Sequence, residues 1–142
     1  MAWATTIASV SIPVALPELA TAIERFPTAP YLLTAGADGR PHAVSVAAVW
    51  RNGSLVCGAG RRTAANVAAQ SAVSLLWPPA GTDDYSLIVD GDAIVSDEGL
   101  TITPTSAVLH RSAPRPGPHD VAGADDTAGG CASDCVPVPL EG

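Results

Sequence analysis

The residues best suited to chemistry lie in one short stretch. Arg61 and Arg62 stand between a glycine-flexed corner, Gly58-Ala59-Gly60, and a run of helix-forming residues. Backbone N–H groups at a helix start attract anions, and arginine adds a planar fork of donors that matches a phosphate or carboxylate. Gly60, Arg61, Arg62 and Thr63 therefore read as an anion-binding corner, with Asn66 as a further amide donor. The plainer reading is a solvated bend carrying two surface arginines. His42 offers an imidazole as a candidate proton donor to a substrate, but its place beside Pro41 at a strand start suits a water-exposed turn edge. His110-Arg111 closes a later strand and either reaches a neighbouring site or faces water. Trp50 and Trp77, at strand ends, suit core packing or stacking on a flat ligand. Cys131 and Cys135, even with His119, fall short of the four ligands of a structural zinc, so no metal site is expected. Cys57 reads as a small apolar strand residue.

The elements that must position the corner run from Pro30 to Pro78. Before them, residues 1–14 read as an arm or edge strand, and Pro17–Phe26 as a helix. Pro17 suits a first helical turn, and Leu16, Leu19, Ala20, Ile23 and Phe26 recur at helical spacing. Tyr31–Ala35 is a strand, turned by Asp38-Gly39 into a second strand over His42–Trp50. That second strand places His42, Val44, Val46, Ala48 and Trp50 on one face and Ala43, Ser45, Ala47 and Val49 on the other. Neither face is strongly polar, which predicts a wall covered on both sides. Asn52-Gly53 is a hairpin turn, and Ser54–Gly58 the return strand. Thr63 caps a predicted helix over Ala64–Gln70, and Ser71–Trp77 is the next strand. Gly81–Asp84 is a polar turn. Tyr85–Val95 is a long strand bent by a bulge or kink at Asp90-Gly91-Asp92, and Leu100–His110 the last, with Pro104 marking its middle as an edge.

Composition narrows the function. All seven basic residues are arginine, so a Schiff-base or general-base lysine is excluded. Residues 1–111 carry six arginines against nine acids, and residues 112–142 one against five, giving the net charge of −7. So acidic a chain is a poor partner for nucleic acid, whose binding rests on cationic side chains. An odd cysteine count, no basic N-terminal region and no apolar run of about 18 residues predict a cytoplasmic protein that neither spans a membrane nor depends on disulfides. The apolar share is rich in alanine and valine, which predicts a core of small and β-branched side chains. Residues 1–111 form one domain. Residues 112–142, rich in Pro, Gly, Ala and Asp, form a tail that buries too little apolar surface to order itself. The fold class is mainly β: of a sandwich and a barrel, the single short crossover helix favours a partly open barrel, with one further helix at the N-terminal side.

The runs LLTAGADGRPHAVSVAAVW, RNGSLVCGAG, RRTAANVAAQSAVSLLW and YSLIVDGDAIV carry a resemblance over roughly residues 15–111. In element order and turn chemistry this stretch resembles the flavin-binding split β-barrel proteins, the pyridoxamine 5′-phosphate oxidase-like family and its deazaflavin-dependent relatives. The resemblance implies a homodimer with two flavin sites between subunits, holding FMN or a deazaflavin coenzyme. It implies that Val44, Ser45 and Val46 meet the ring edge, and that Gly60, Arg61, Arg62, Thr63 and Asn66 hold the phosphate. Where family members often carry a lysine, this chain has Thr63, so Arg61 or Arg62 supplies the cation. The implied activity is an oxidoreductase acting on a small organic substrate, with hydride chemistry supplied by the cofactor and no catalytic side chain assigned. The alternative is a non-enzymatic split barrel that binds flavin or haem as carrier or sensor.

Overall fold

The computed structural model describes residues 9–81 and 84–112. In chain order the strands are β1 (Ser9–Pro13), β2 (Tyr31–Ala35), β3 (Pro41–Ser45), β4 (Val49–Arg51), β5 (Ser54–Cys57), β6 (Ala72–Trp77), β7 (Ser86–Ser96) and β8 (Gly99–Ser112). A 3-10 turn (Leu16–Glu18) leads into helix α1 (Leu19–Ile23), and helix α2 (Arg61–Ala69) crosses from β5 to β6. All strand pairs are antiparallel, in the order β3-β2-β6-β7-β8-β5-β4, with β1 also on β8. The sheet ends in β3 on one side and β4 on the other, and no ladder closes it. This is a split β-barrel.

The turns form where their residues permit positive φ. Asn52 and Gly53 (φ 52° and 82°) make the tight β4–β5 hairpin, and Gly39 (φ 79°) turns β2 into β3. The interior is mixed: Ala22, Val67, Val73, Val89, Ala93, Ile102 and Ala107 are buried as the small and β-branched expectation has it, but leucines stand beside them. Its fully buried large side chains are Leu19, Leu32, Leu55, Leu75, Leu87 and Leu100, with Ile102 and Val89. Each buried leucine contributes about 1.5–3 kcal/mol, so a few long side chains do most of the filling. Further alanines and valines lie at half-buried and exposed positions such as Ala43, Val44, Val46 and Val49.

Two expectations about local structure are corrected. The strand drawn over His42–Trp50 is broken: β3 stops at Ser45, Val46–Ala48 pair with no strand, and β4 begins at Val49. The break is topological, because this one run of chain joins the two opposite ends of the sheet. The alternation survives it, with the even-numbered residues from His42 to Trp50 half-buried and the odd-numbered ones exposed. Helix α2 begins at Arg61, three residues before the expected start, with Gly60 at the cap position in place of Thr63.

The bend in the last hairpin is a bulge: Asp90 pairs Ser106, Gly91 pairs Pro104, and Thr105 on β8 is the extra residue. Pro104 falls where β8 has left β5 behind (after Ile102) and has not yet met β1 (from Val108), which makes that stretch a local edge. Among the described residues no helix is long and apolar enough to cross a membrane, and no cluster of metal-ligating side chains forms. The Pro/Gly/Asp-rich stretch with Cys131 and Cys135 lies outside the described residues, beyond the end of β8, as do residues 82–83 of the polar turn.

Candidate functional site

The corner owes its character to what it lacks. Gly60 caps α2 in an extended conformation (φ −72°, ψ 172°), and no side chain accepts from the helix start. The first intrahelical bond at this end runs from Ala64 N–H to the Gly60 carbonyl at 3.0 Å. The N–H groups of Arg61, Arg62 and Thr63 therefore have no acceptor within the helix. No acidic residue stands in the first turn. Two arginines occupy it instead, although cations at the positive end of a helix dipole are unfavourable by a few tenths of a kcal/mol. Both are exposed, and among the described residues the ion pair that forms is Arg51–Glu98, elsewhere. An anion bound here would satisfy the free N–H groups and offset the misplaced charge together.

The corner forms one wall of an open cleft of about 550 Å³, within the range of small-molecule sites. Gly58, Gly60, Arg61, Arg62 and Thr63 line this side, and His42, Val44, Ser45, Val46 and Ala47 line the other. A Cβ added at Gly58 or Gly60 would meet nothing within 4 Å, so backbone and cleft are open to a closely approaching ligand. The half-buried Val44 and Val46 give the opposite wall its apolar surface.

Seven of the eight residues singled out from the sequence meet in this cleft: Val44, Ser45, Val46, Gly60, Arg61, Arg62 and Thr63. Asn66 does not. It is 7% exposed, and its Nδ2 donates to Thr34 Oγ1 at 3.0 Å, tying α2 to β2. Its amide serves the fold, and the anion-binding set loses it. Thr63 is also buried. His42, expected at a water-exposed turn edge, is half-buried and lines the cleft, and its Nδ1 is shielded from solvent without a hydrogen-bond partner. The signal was its inward phase with Val44 and Val46.

The other candidates stand elsewhere. Trp77 is buried in the core and Trp50 packs against it. His110 Nδ1 lies 3.3 Å from Ser11 Oγ, and the Arg111 guanidinium sits 4.8 Å over the Tyr85 ring. Burial pushes the Cys57 thiol pKa up, so Cys57 is held as an inert thiol behind the corner.

Fold and cleft together define a split β-barrel with an open cleft beside the N-terminal end of α2. The chain belongs to the same family as two uncharacterized mycobacterial proteins, one from Mycobacterium bovis and one from Mycobacterium tuberculosis. Each is 38% identical over 140 aligned residues, covering 85% of this chain and 92% of the relative. No protein-family model matches the chain. Among solved structures it is similar to an FAD-binding protein from Mesorhizobium loti (TM-score 0.54, 12% identity, 75% of this chain and 99% of that one). It is also similar to a candidate 5-nitroimidazole antibiotic resistance protein from Bacteroides thetaiotaomicron (TM-score 0.53, 10% identity, 72% and 87%). At such identities the likeness is one of fold.

Proposed function

We propose that the chain is a flavin-dependent oxidoreductase that holds FMN or a deazaflavin coenzyme in the β3–α2 cleft and acts on a small organic molecule. One observation carries the reading: an uncapped helix start bearing two arginines that pair with no carboxylate among the described residues, facing a half-buried valine strip across a cleft of ligand size. The arginines and free N–H groups hold the phosphate, and Val44 and Val46 bear on the ring. When bound, the flavin supplies the hydride chemistry, and the chain's residues bind, orient and shield it. The FAD-binding protein of the same fold supports a flavin over other phosphorylated ligands.

We further propose a homodimer. Val49, Val56, Thr101 and Ile94 are successive register partners across β4, β5, β8 and β7, and so form one outer row. Val49 is 54% and Ile94 64% exposed, an apolar face that a second copy would cover. The test is titration of the purified protein with FMN and with a deazaflavin, read by ring fluorescence, with mass measured by light scattering. Saturable uptake of one coenzyme by a dimer supports the reading, and uptake of neither overturns it. A flavin that binds but is reduced by no nicotinamide donor points instead to a carrier or sensor.

A further inference from the structure

We infer that His42 contacts the ligand in this cleft, presenting Nε2–H as a hydrogen-bond donor to an acceptor atom on the flavin ring; the inference rests on the flavin reading above. His42, Val44 and Val46 share the inward face of one extended segment and all line the cleft. That strip is about 13 Å long, at roughly 3.3 Å per residue, with a polar group at one end and apolar surface along the rest.

The imidazole has no structural employment. Its Nδ1 is shut off from solvent and has no partner. Thr34, its register neighbour on β2, already accepts from Asn66. A buried N–H without an acceptor is penalised more than a bare lone pair, and orphaned buried N–H groups are rare. The proton of the neutral ring therefore belongs on Nε2, a tautomer assigned from the hydrogen-bond surroundings. An imidazole so fixed has one donor to offer, and the cleft it lines is where an acceptor can come. Arginines then hold the charged end of the ligand, while a neutral donor reads its ring. The carbonyl and nitrogen edge of an isoalloxazine supplies such acceptors.

Four proteins and two ligands test this: wild type, His42→Phe, His42→Gln and the double variant Arg61→Ala, Arg62→Ala, each titrated with FMN and with riboflavin, which lacks the phosphate. His42→Phe keeps a flat ring without a donor, and His42→Gln restores an N–H near the Nε2 position. His42→Phe should weaken both ligands about tenfold, the worth of one hydrogen bond to a polar ligand. His42→Gln should remain within about threefold of wild type, which a merely structural ring would not allow. The double arginine variant should lose FMN but bind riboflavin as wild type does.

If His42→Phe binds both ligands as tightly as wild type while the arginine variant loses FMN, the inference fails and the flavin reading stands. If wild type binds neither ligand nor a deazaflavin, the flavin reading falls and takes the inference with it. Nitrogen-15 spectra of the wild-type ring serve even where a variant does not fold. A neutral Nδ1–H tautomer overturns the inference, and an Nε2–H tautomer whose shift moves on adding FMN supports it.

Discussion

Two polar patches on this sheet are built in opposite ways. At the β7–β8 bulge, Asp90 Oδ1 accepts from Ser74 Oγ at 2.5 Å and Oδ2 from Ser106 Oγ at 3.3 Å, while its carbonyl accepts from Thr105 Oγ1 at 3.2 Å. The polar groups there are spent on holding the bend. At the β3–α2 cleft a helix start is uncapped, Arg61 and Arg62 pair with no carboxylate among the described residues, and His42 Nδ1 has no partner. Arg61 and Arg62 are exposed and water can serve them, but the shielded His42 Nδ1 is the kind of group that folded chains rarely leave unmatched. The bulge shows that this chain does satisfy its own polar groups where shape is the aim. We therefore propose the cleft as the site and the bulge as scaffold.

Substitutions that respect this division should separate stability from binding. The largest effect belongs to Gly91, beside the bulge. A Cβ there would lie 2.6 Å from the Thr103 carbonyl oxygen, which is backbone and does not move aside cheaply. Gly91→Val should cost about 2–4 kcal/mol in urea unfolding, the range of overpacked and strained sites, while the folded fraction binds FMN as wild type does. Arg61→Ala with Arg62→Ala should do the reverse. FMN affinity falls by about 2–3 kcal/mol, from lost charged hydrogen bonds. The free energy of unfolding in urea stays within about 0.5 kcal/mol of wild type, because two exposed cations have been removed from the positive end of a helix. A double variant that unfolds early but binds normally would invert the assignment of scaffold and site.

How much of this was legible beforehand follows from where each signal resides. Turns are local, so Asp38-Gly39 and Asn52-Gly53 announced two hairpins, and the arginines beside Gly60 announced the corner. The break at Val46–Ala48 has no local mark, because it arises from the distance between the two ends of the sheet that this run must join. Thr63 resembled a cap by type, yet its side chain is buried, and the helix starts at Arg61 with Gly60 as its cap. Asn66 looked like a ligand-binding amide because its partner, Thr34, lies 32 residues away and no spacing rule connects them. His42 was on the correct face by alternation, but its neighbour Pro41 suggested an exposed turn edge. Asp90-Gly91-Asp92 predicts a bulge or a kink on β7, whereas the extra residue is Thr105 on β8.

Asn66 marks the border between the two kinds of polar group, and so sharpens the contrast. It stands in the helix that carries the arginines, two turns or less from Arg61, but its hydrogen bond points into the fold. Asn66→Ala strands the Thr34 hydroxyl in a buried position and should cost about 1–2 kcal/mol in urea unfolding. FMN affinity should stay within about threefold of wild type, the helix start being intact. A variant that keeps its stability and loses the flavin would return Asn66 to the site.

The smallest effect is expected at Cys57, which sits at the end of β5 just before the corner and is 2% exposed. Desolvation raises its thiol pKa, so the folded state holds the proton more tightly than the unfolded chain does. A group of this sign stabilises the fold fully below the unfolded thiol's pKa, about 8.5, and loses that contribution as pH climbs toward the folded value. Stability should therefore decline above about pH 8.5, with this group contributing at most about 1.4 kcal/mol per pH unit. Cys57→Ala should remove that part of the slope. The comparison is of urea midpoints for the two proteins at neutral and alkaline pH. If both decline in parallel, Cys57 is not the group that titrates. If the wild-type decline begins well below about pH 8.5, the thiol is activated rather than inert, and it would have to be moved from scaffold to site.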